Sequence, residues 1–405
     1  MKRKPIEHNR LRVALLVESS RSYGRSTLSG VAKYIRANTG WSISLQEQSL
    51  CDDLPGWLKN WQGDGIITRM ENSALAAALK RLRVPVVYLR NVPPAAQAPS
   101  VLTDNPAVSK MAFEHLRDRG FQHFGFCGYN GADYSDERRD SFVQLVAAAG
   151  LRCHVFAEQL PPGEFNTAAY EEAGLKDGAL VARWVAQMPK PMGLMACNDM
   201  RGQQVLNACR TAGVAVPDDL AVIGVDNEEV LCDLSDPPLS SVVPNAERIG
   251  YEAAALLDRL MSGEKLEPIP TYIGPHAVIT RRSTDVLAVE DRQIAAAVRF
   301  IREHACENID VGDILRAVPL SRSTLERRYE KILGRSPKQD ILRFRLNRAK
   351  QLLAETSLTL DAIAEKVGLE HTEYLGRIFK KKFGLTPAKF RARARAAAAA
   401  DRLAG

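Results

Sequence analysis

Near its C-terminus the chain repeats itself after fifty residues: Leu325, Arg327, Tyr329, Lys331, Gly334 and Pro337 recur as Leu375, Arg377, Phe379, Lys381, Gly384 and Pro387. Apolar, basic and helix-stopping residues returning at one fixed period imply two copies of a single small helical unit. In the first copy Val311, Ile314, Leu315 and Val318 share one face of a short helix, and Pro319-Leu-Ser321 makes a turn. Ser321 is placed to cap a second helix from about Arg322 to Leu333, which Gly334 ends. The second copy repeats the pattern with Leu360, Ile363, Ala364 and Val367, a turn at Gly368, and a helix from about Thr372 to Phe383. Short helix, tight turn and longer basic helix are the parts of a helix-turn-helix, whose second helix lies in the major groove of DNA. Between the copies, Ile341, Leu342, Leu346, Ala349, Leu352 and Leu353 recur at helical spacing, which predicts a connecting helix.

Charge follows the same division. Residues 286–405 carry 24 Lys and Arg against 15 Asp and Glu, whereas residues 1–285 carry 31 against 33. The basic excess therefore sits with the repeats, where release of counterions from double-stranded DNA would favour binding, and the larger part has no general affinity for polyanions. The alternative for the repeats is a basic helical bundle with solvated charges, such as a wet face at Lys380-Lys-Lys382. Agreement of caps, turns and repeat argues against it.

This region resembles the DNA-binding domain of the arabinose-regulator (AraC/XylS) family. It carries that family's L-x-R-x-F/Y-K-x-x-x-G-x-S/T-P, R-x-x-x-A-x-x-L-L and I-A-x-x-V-G patterns. The resemblance implies that one chain reads two successive major grooves, about 34 Å apart. It implies that the first recognition helix presents Arg322, Ser323, Glu326, Arg327 and Arg328, and the second His371, Thr372, Glu373, Gly376, Arg377 and Lys380. Arginine matches the paired acceptors of guanine, and lysine meets phosphate as a point charge. The chain departs from the family around Gly368-Leu-Glu-His-Thr-Glu373, which brings two carboxylates near the groove, so base preference of the second unit does not carry over.

The first 280 residues alternate strand and helix. Apolar strands are expected at Val13–Val17, Ser42–Gln46, Gly65–Ile67, Val84–Leu89, Phe124–Cys127, Met192–Ala196 and Ala221–Val225, with amphipathic segments between, such as a helix from about Ser26 to Ala37. That is a parallel α/β pattern long enough for two lobes. No dinucleotide fingerprint or phosphate-binding loop opens any unit.

Thr103-Asp-Asn105, Cys197-Asn-Asp199, and Val222-Ile-Gly-Val-Asp-Asn227 ahead of Leu239-Ser-Ser-Val242 resemble the effector domains of lactose-repressor (LacI/GalR) proteins. These share the fold of periplasmic sugar-binding proteins, which clamp a ligand between two lobes at the carboxyl ends of their strands. Only twelve residues precede the strand expected at Val13–Val17, so the DNA-reading role is expected to fall to the C-terminal domain. The fusion of the two domain types resembles the xylose operon regulators, as do the phrases Tyr23-Gly-Arg25, Gly63-Asp-Gly65, Asp226-Asn-Glu-Glu229 and Arg281-Arg-Ser-Thr-Asp285. The expected fold is thus a two-lobed α/β domain like the periplasmic binding proteins, followed by an all-α domain with two helix-turn-helix units. Expected boundaries are a tail at 1–10, an effector domain at 11–280, a linker at 281–289, a DNA-binding domain at 290–392, and a basic, alanine-rich tail at 393–405.

A sugar site needs short polar side chains and an arginine or carboxylate to pair with neighbouring hydroxyls, on an aromatic or apolar floor. The strand-end loops offer Ser20, Arg21, Tyr23, Arg25, Asp104, Arg138, Asn198, Asp199 and Asp226. The resemblance matches Arg138 and Asp226 to the family's sugar-contacting arginine and aspartate. Asp104, Asn198 and Asp199 read equally as caps of the helices they precede, and Tyr23 as hinge packing.

Seven scattered cysteines, with no C-x-x-C and no spaced histidines, indicate reduced thiols without a metal or disulfide frame. Met1-Lys-Arg-Lys-Pro5 is followed by polar residues, so neither a signal peptide nor a membrane partner is expected, and the protein is placed in the cytoplasm. No cofactor is expected. The expected partners are double-stranded DNA, a monosaccharide effector with xylose as the lead, a second copy of the chain, and RNA polymerase for an activator. Two rival classes are an enzyme, for which no nucleophile elbow, metal spacing or phosphate loop is present, and a DNA-binding protein whose α/β domain only dimerises or takes a non-sugar ligand.

Overall fold

The computed structural model describes residues 10–38, 40–47, 55–70, 78–79, 81–91, 98–156, 174–286 and 291–392. The expected tails, apart from Arg10, residues 287–289 of the expected linker and the first residue, 290, of the expected DNA-binding domain lie outside them. The described residues form two compact units. One holds the residues up to Leu116 with His123–Val286, and the other holds Arg117–Gln122 with the described residues beyond Val286.

In chain order the first unit runs β1 (Arg12–Leu16), α1 (Ser22–Asn38), β2 (Ser42–Leu45), β3 (Gly65–Thr68), β4 (Val86–Tyr88), β5 (Val101–Thr103), α2 (Asn105–Arg117), β6 (His123–Cys127), α3 (Asp133–Ala148) and β7 (Cys153–Phe156). It continues through α4 (Gly178–Gln187), β8 (Met192–Ala196), α5 (Asp199–Ala212), β9 (Leu220–Val225), α6 (Glu229–Leu234), β10 (Ser240–Val243), α7 (Ala246–Met261), β11 (Thr271–Ile273) and β12 (Ala277–Ile279). Three sheets result among the described residues: a parallel one ordered β2-β1-β3-β4, a parallel pair β11-β5, and one ordered β12-β10-β9-β8-β6-β7 in which only β12 is antiparallel. Every residue of β8 and β9 is buried, as uninterrupted apolar runs require when both faces of a parallel sheet are covered.

Each of the two larger sheets anchors a lobe with its own core. Tyr23, Val31 and Tyr34 of α1 pack with Ile249, Ala253 and Leu257 of α7 against the first sheet. Val181, Val185 and Val205 pack against the second. Although α7 follows a strand of the second sheet, it returns to the first because α1 and α7 cross closely. A Cβ on Gly30 would strike the Glu247 carbonyl, and one on Gly250 the Thr27 carbonyl. The chain therefore passes between lobes after β5, after β10 and after β11. Periodicity does not reveal the short strands β7, β10, β11 and β12. Residues 282–284, expected in a linker, form a 3-10 turn packed on the second sheet, where Ser283 donates to the Val222 carbonyl at 2.6 Å.

The helical unit contains α8 (Arg292–His304), α9 (Val311–Ala317), α10 (Arg322–Leu333), α11 (Pro337–Glu355), α12 (Leu360–Lys366) and α13 (Thr372–Phe383). Capping boxes at Asp310/Asp313 and Ser336/Gln339 start α9 and α11. Gly334 and Gly384 end α10 and α13 at φ 66° and 75°, in the left-handed region that favours glycine. Two small cores lie side by side. One gathers Ile314, Leu325, Tyr329 and Ile341, the other Leu346, Ile363, Leu375 and Phe379, so α11 serves the first with its N-terminal part and the second with the rest.

Candidate functional site

A cavity of about 290 Å³ opens where the strands of both sheets end, lined by loops after β1, β3, β4, β6, β8 and β9. Arg138 reaches it from α3 and is only 4% exposed. Its Nε donates to Asn105 Oδ1 at 2.9 Å and its Nη1 to the Cys197 carbonyl at 2.5 Å, which leaves Nη2 facing Asp226 Oδ1 at 3.9 Å. The guanidinium also lies 5.3 Å from the ring centre of Tyr134. Two of its nitrogens are thus spent holding the group, and the third edge is presented to the cavity.

Asp226 sits in a turn whose backbone is unusual for side-chain-bearing residues, with φ 105° at Asp226 and 49° at Asn227. Such strain persists only where the surroundings over-determine it. Here the Asn227 amide donates to Ser241 Oγ at 3.0 Å, and Arg281 Nη1 donates to Asn227 Oδ1 at 2.9 Å. Buried Asp199 lies beneath, accepting from Ser241 Oγ at 2.6 Å and from the Glu228 amide at 2.8 Å. Burial first, and the charge of Asp226 second, push the Asp199 carboxyl up to about 8.

The first lobe supplies the opposite wall. Arg69 lies 4.4 Å over the ring of Tyr23 and pairs with buried Glu18, and Tyr23 shares a 2.9 Å hydrogen bond with Thr103. Leu89 and Leu102 add apolar surface to this wall, and Met200 adds it from the second lobe. Among the described lining residues six carboxyl groups, Asp199 among them, stand beside four arginines, an array of hydrogen-bond acceptors and donors.

In the helical unit Leu325, Tyr329 and Leu333 of α10 face inward, as do Leu375 and Phe379 of α13. Arg322, Ser323 and Arg327 are exposed on α10, and Glu326 holds Arg322 at 3.1 Å. Glu373, Arg377 and Lys380 are exposed on α13, with His371 just ahead of it, and Arg377 lies 5.3 Å from the Tyr374 ring. Gly376 is half-buried, and a Cβ added there would meet nothing within 4 Å.

Three family models match consecutive stretches: the XylR N-terminal domain over residues 12–105, a periplasmic binding protein-like domain over 113–284, and a helix-turn-helix domain over 314–393. The chain is 33% identical over 396 residues to the xylose operon regulatory protein of Escherichia coli K12, covering 94% of this chain and 97% of that one. The chain belongs to the xylose operon regulatory protein family. The Haemophilus influenzae member is 31% identical over 388 residues, covering 94% and 98%. Among solved structures, a xylose-binding transcription activator matches at 32% identity and a TM-score of 0.57, covering 95% of this chain and 98% of that one. The regulator is thus a transcription factor with an α/β effector domain ahead of a double helix-turn-helix domain.

Of the expected ligand residues, Ser20, Arg21, Tyr23, Arg138, Asn198, Asp199 and Asp226 all line the regulator's cavity. Asp104 does not; its Oδ1 accepts from the Ala107 amide at 2.9 Å and caps α2. Arg25 also lies outside, paired with Glu228 at 3.0 Å. Asn198 combines both roles, lining the cavity while accepting from the Arg201 amide at 2.9 Å. Of the expected DNA contacts, Arg328 donates to Asp291 at 2.6 Å and Gln293 at 2.9 Å, and half-buried Thr372 donates to Asp361. Glu18, Arg69, Asn91, Asn105, Glu137 and Glu228 also line the cavity, and the sequence alone does not single them out. Position just past a strand was the available signal for Arg69, which follows β3.

Proposed function

We propose that this regulator senses a neutral monosaccharide, with D-xylose as the leading effector, and activates transcription of genes for its catabolism. The observation that carries the reading is the Arg138–Asp226 pair, held 3.9 Å apart in a cleft between lobes, with the arginine over the Tyr134 ring. A guanidinium and a carboxylate so placed match the acceptor and donor of neighbouring sugar hydroxyls. Expected as ligand contacts are Arg138, Asp226, Asn198 and the first-lobe wall around Tyr23; expected as base or phosphate contacts are Arg322, Ser323, Arg327, His371, Glu373, Gly376, Arg377 and Lys380. Among the described residues no helix is long and apolar enough to cross a membrane.

The protein acts in the cytoplasm as a homodimer without enzymatic activity, and sugar binding favours the arrangement of paired DNA-binding domains that fits tandem half-sites and meets RNA polymerase. A ligand shifts such an equilibrium only by its differential affinity for the two states, typically about 1–3 kcal/mol. The test is the affinity for operator DNA, by fluorescence anisotropy, with and without saturating D-xylose. An affinity gain of about fivefold or more is expected. Equal affinities with D-xylose bound would contradict sugar control.

A further inference from the structure

We propose that Arg25 and Glu228 form a clasp between the lobes that sets the sugar affinity of the cleft, both acting as positioning residues. The inference rests on the reading of the cleft as a sugar site and extends it to a pair that is 203 residues apart in sequence.

Ser22 and Arg25 open α1 on the first sheet, whereas Glu228 follows β9 on the second. The Ser22 amide donates to Glu228 Oε2 at 2.6 Å, and Arg25 Nη2 donates to Glu228 Oε1 at 3.0 Å. The first turn of α1 contains no acidic residue of its own, so its free amides and the positive end of its dipole are met by a carboxylate from the other lobe. Burial pushes the Glu228 carboxyl up, but the bonds from Ser22 and the charge of Arg25 outweigh it and hold the group below its ordinary value. Arg25 is braced in turn by a 3.1 Å bond from Nη1 to the Ser19 carbonyl.

The clasp hangs on the turn that carries Asp226. Asp199 accepts from the Glu228 amide, so one buried carboxylate fixes both the clasp residue and, through Ser241, the turn two residues before it. A sugar that touches both walls binds only when the lobes have met, and its apparent affinity is then reduced by the fraction of chains that are open. A second bond across the cleft, from Asn91 Nδ2 to Glu137 Oε1 at 2.6 Å, makes loss of the clasp graded rather than total.

The experiment is calorimetric titration of the full chain with D-xylose for the wild type, Arg25→Ala, Glu228→Gln and the double variant. Arg25 is half exposed and outside the cavity, so its replacement leaves the fold and the sugar contacts in place. The dissociation constant rises about threefold in Arg25→Ala, as for an exposed pair, and about tenfold in Glu228→Gln, which loses a charge-assisted bond. The double variant binds about as well as Glu228→Gln alone, because the arginine has already lost its partner. Wild-type affinity in Arg25→Ala overturns the clasp and leaves Glu228 as a ligand contact only. A readout without sugar separates this from failure of the effector reading: the Ser22 amide exchanges hydrogen about tenfold faster in Glu228→Gln. Unchanged exchange overturns the clasp even if D-xylose binds, whereas faster exchange without D-xylose binding to the wild type defeats the effector reading alone.

Discussion

Nη2 of Arg138 and Oδ1 of Asp226 face each other at 3.9 Å, beyond a direct hydrogen bond and within reach of a bridging hydroxyl. The two groups are held by different means, one by Asn105 and the Cys197 carbonyl, the other by a strained turn. Their replacement therefore has different consequences. Asp226→Asn, at a partly exposed side chain, weakens D-xylose binding by about 1.5–3 kcal/mol, the range for a hydrogen bond to a charged group, with little change in melting temperature. Arg138→Ala abolishes binding and also lowers stability, because Asn105 and the Cys197 carbonyl lose a buried donor. Calorimetric titration paired with thermal melts of both variants checks the difference.

Asp199 makes the regulator's stability depend on pH. Its folded-state value of about 8 lies above the ordinary carboxylate value of 3.8. The folded state therefore holds a proton that the unfolded state releases, and the associated stability is present below about pH 4 and is lost as pH rises toward 8. Asp199→Asn removes this contribution. Its melting temperature, followed from pH 5 to 8, is expected to fall less with rising pH than that of the wild type, and parallel curves would contradict the assignment.

Arginines of the two recognition helices separate by what holds them. Arg327→Ala and Arg377→Ala each weaken specific DNA binding by about 1–3 kcal/mol and relax preference at one base position. Arg328 is engaged by Asp291 and Gln293, so Arg328→Ala lowers the stability of the helical unit and leaves base preference intact. Binding measured across a set of operator variants, with melts alongside, distinguishes them. A uniform loss across sequences for Arg327→Ala would mark a phosphate contact instead.

Local signals carried much of this structure. The helices α10 and α13 were legible from the repeat, the cap at Ser321 and the glycines at 334 and 384, because each of these acts within a few residues. Buried strands such as β8 and β9 announced themselves as apolar runs. The strands β11 and β12 did not, since three-residue segments give no period to read. Asp104 and Asn198 look alike in sequence, each an acceptor just past a strand, and only three dimensions separate a helix cap from a cap that also lines the cavity. Arg25 reads as a ligand residue because it shares the segment after β1 with Ser20, Arg21 and Tyr23, which do line the cavity. Its partner Glu228 comes from the far end of the domain, a pairing that no local pattern encodes.

The measurement that bears most directly on the central claim is calorimetric titration of the full chain with D-xylose, with Asp226→Asn as the control. Saturable one-site binding to the wild type, weakened at least about tenfold in the variant, is the predicted result. Absence of binding by D-xylose and by other neutral monosaccharides, in protein that still binds DNA, would contradict it.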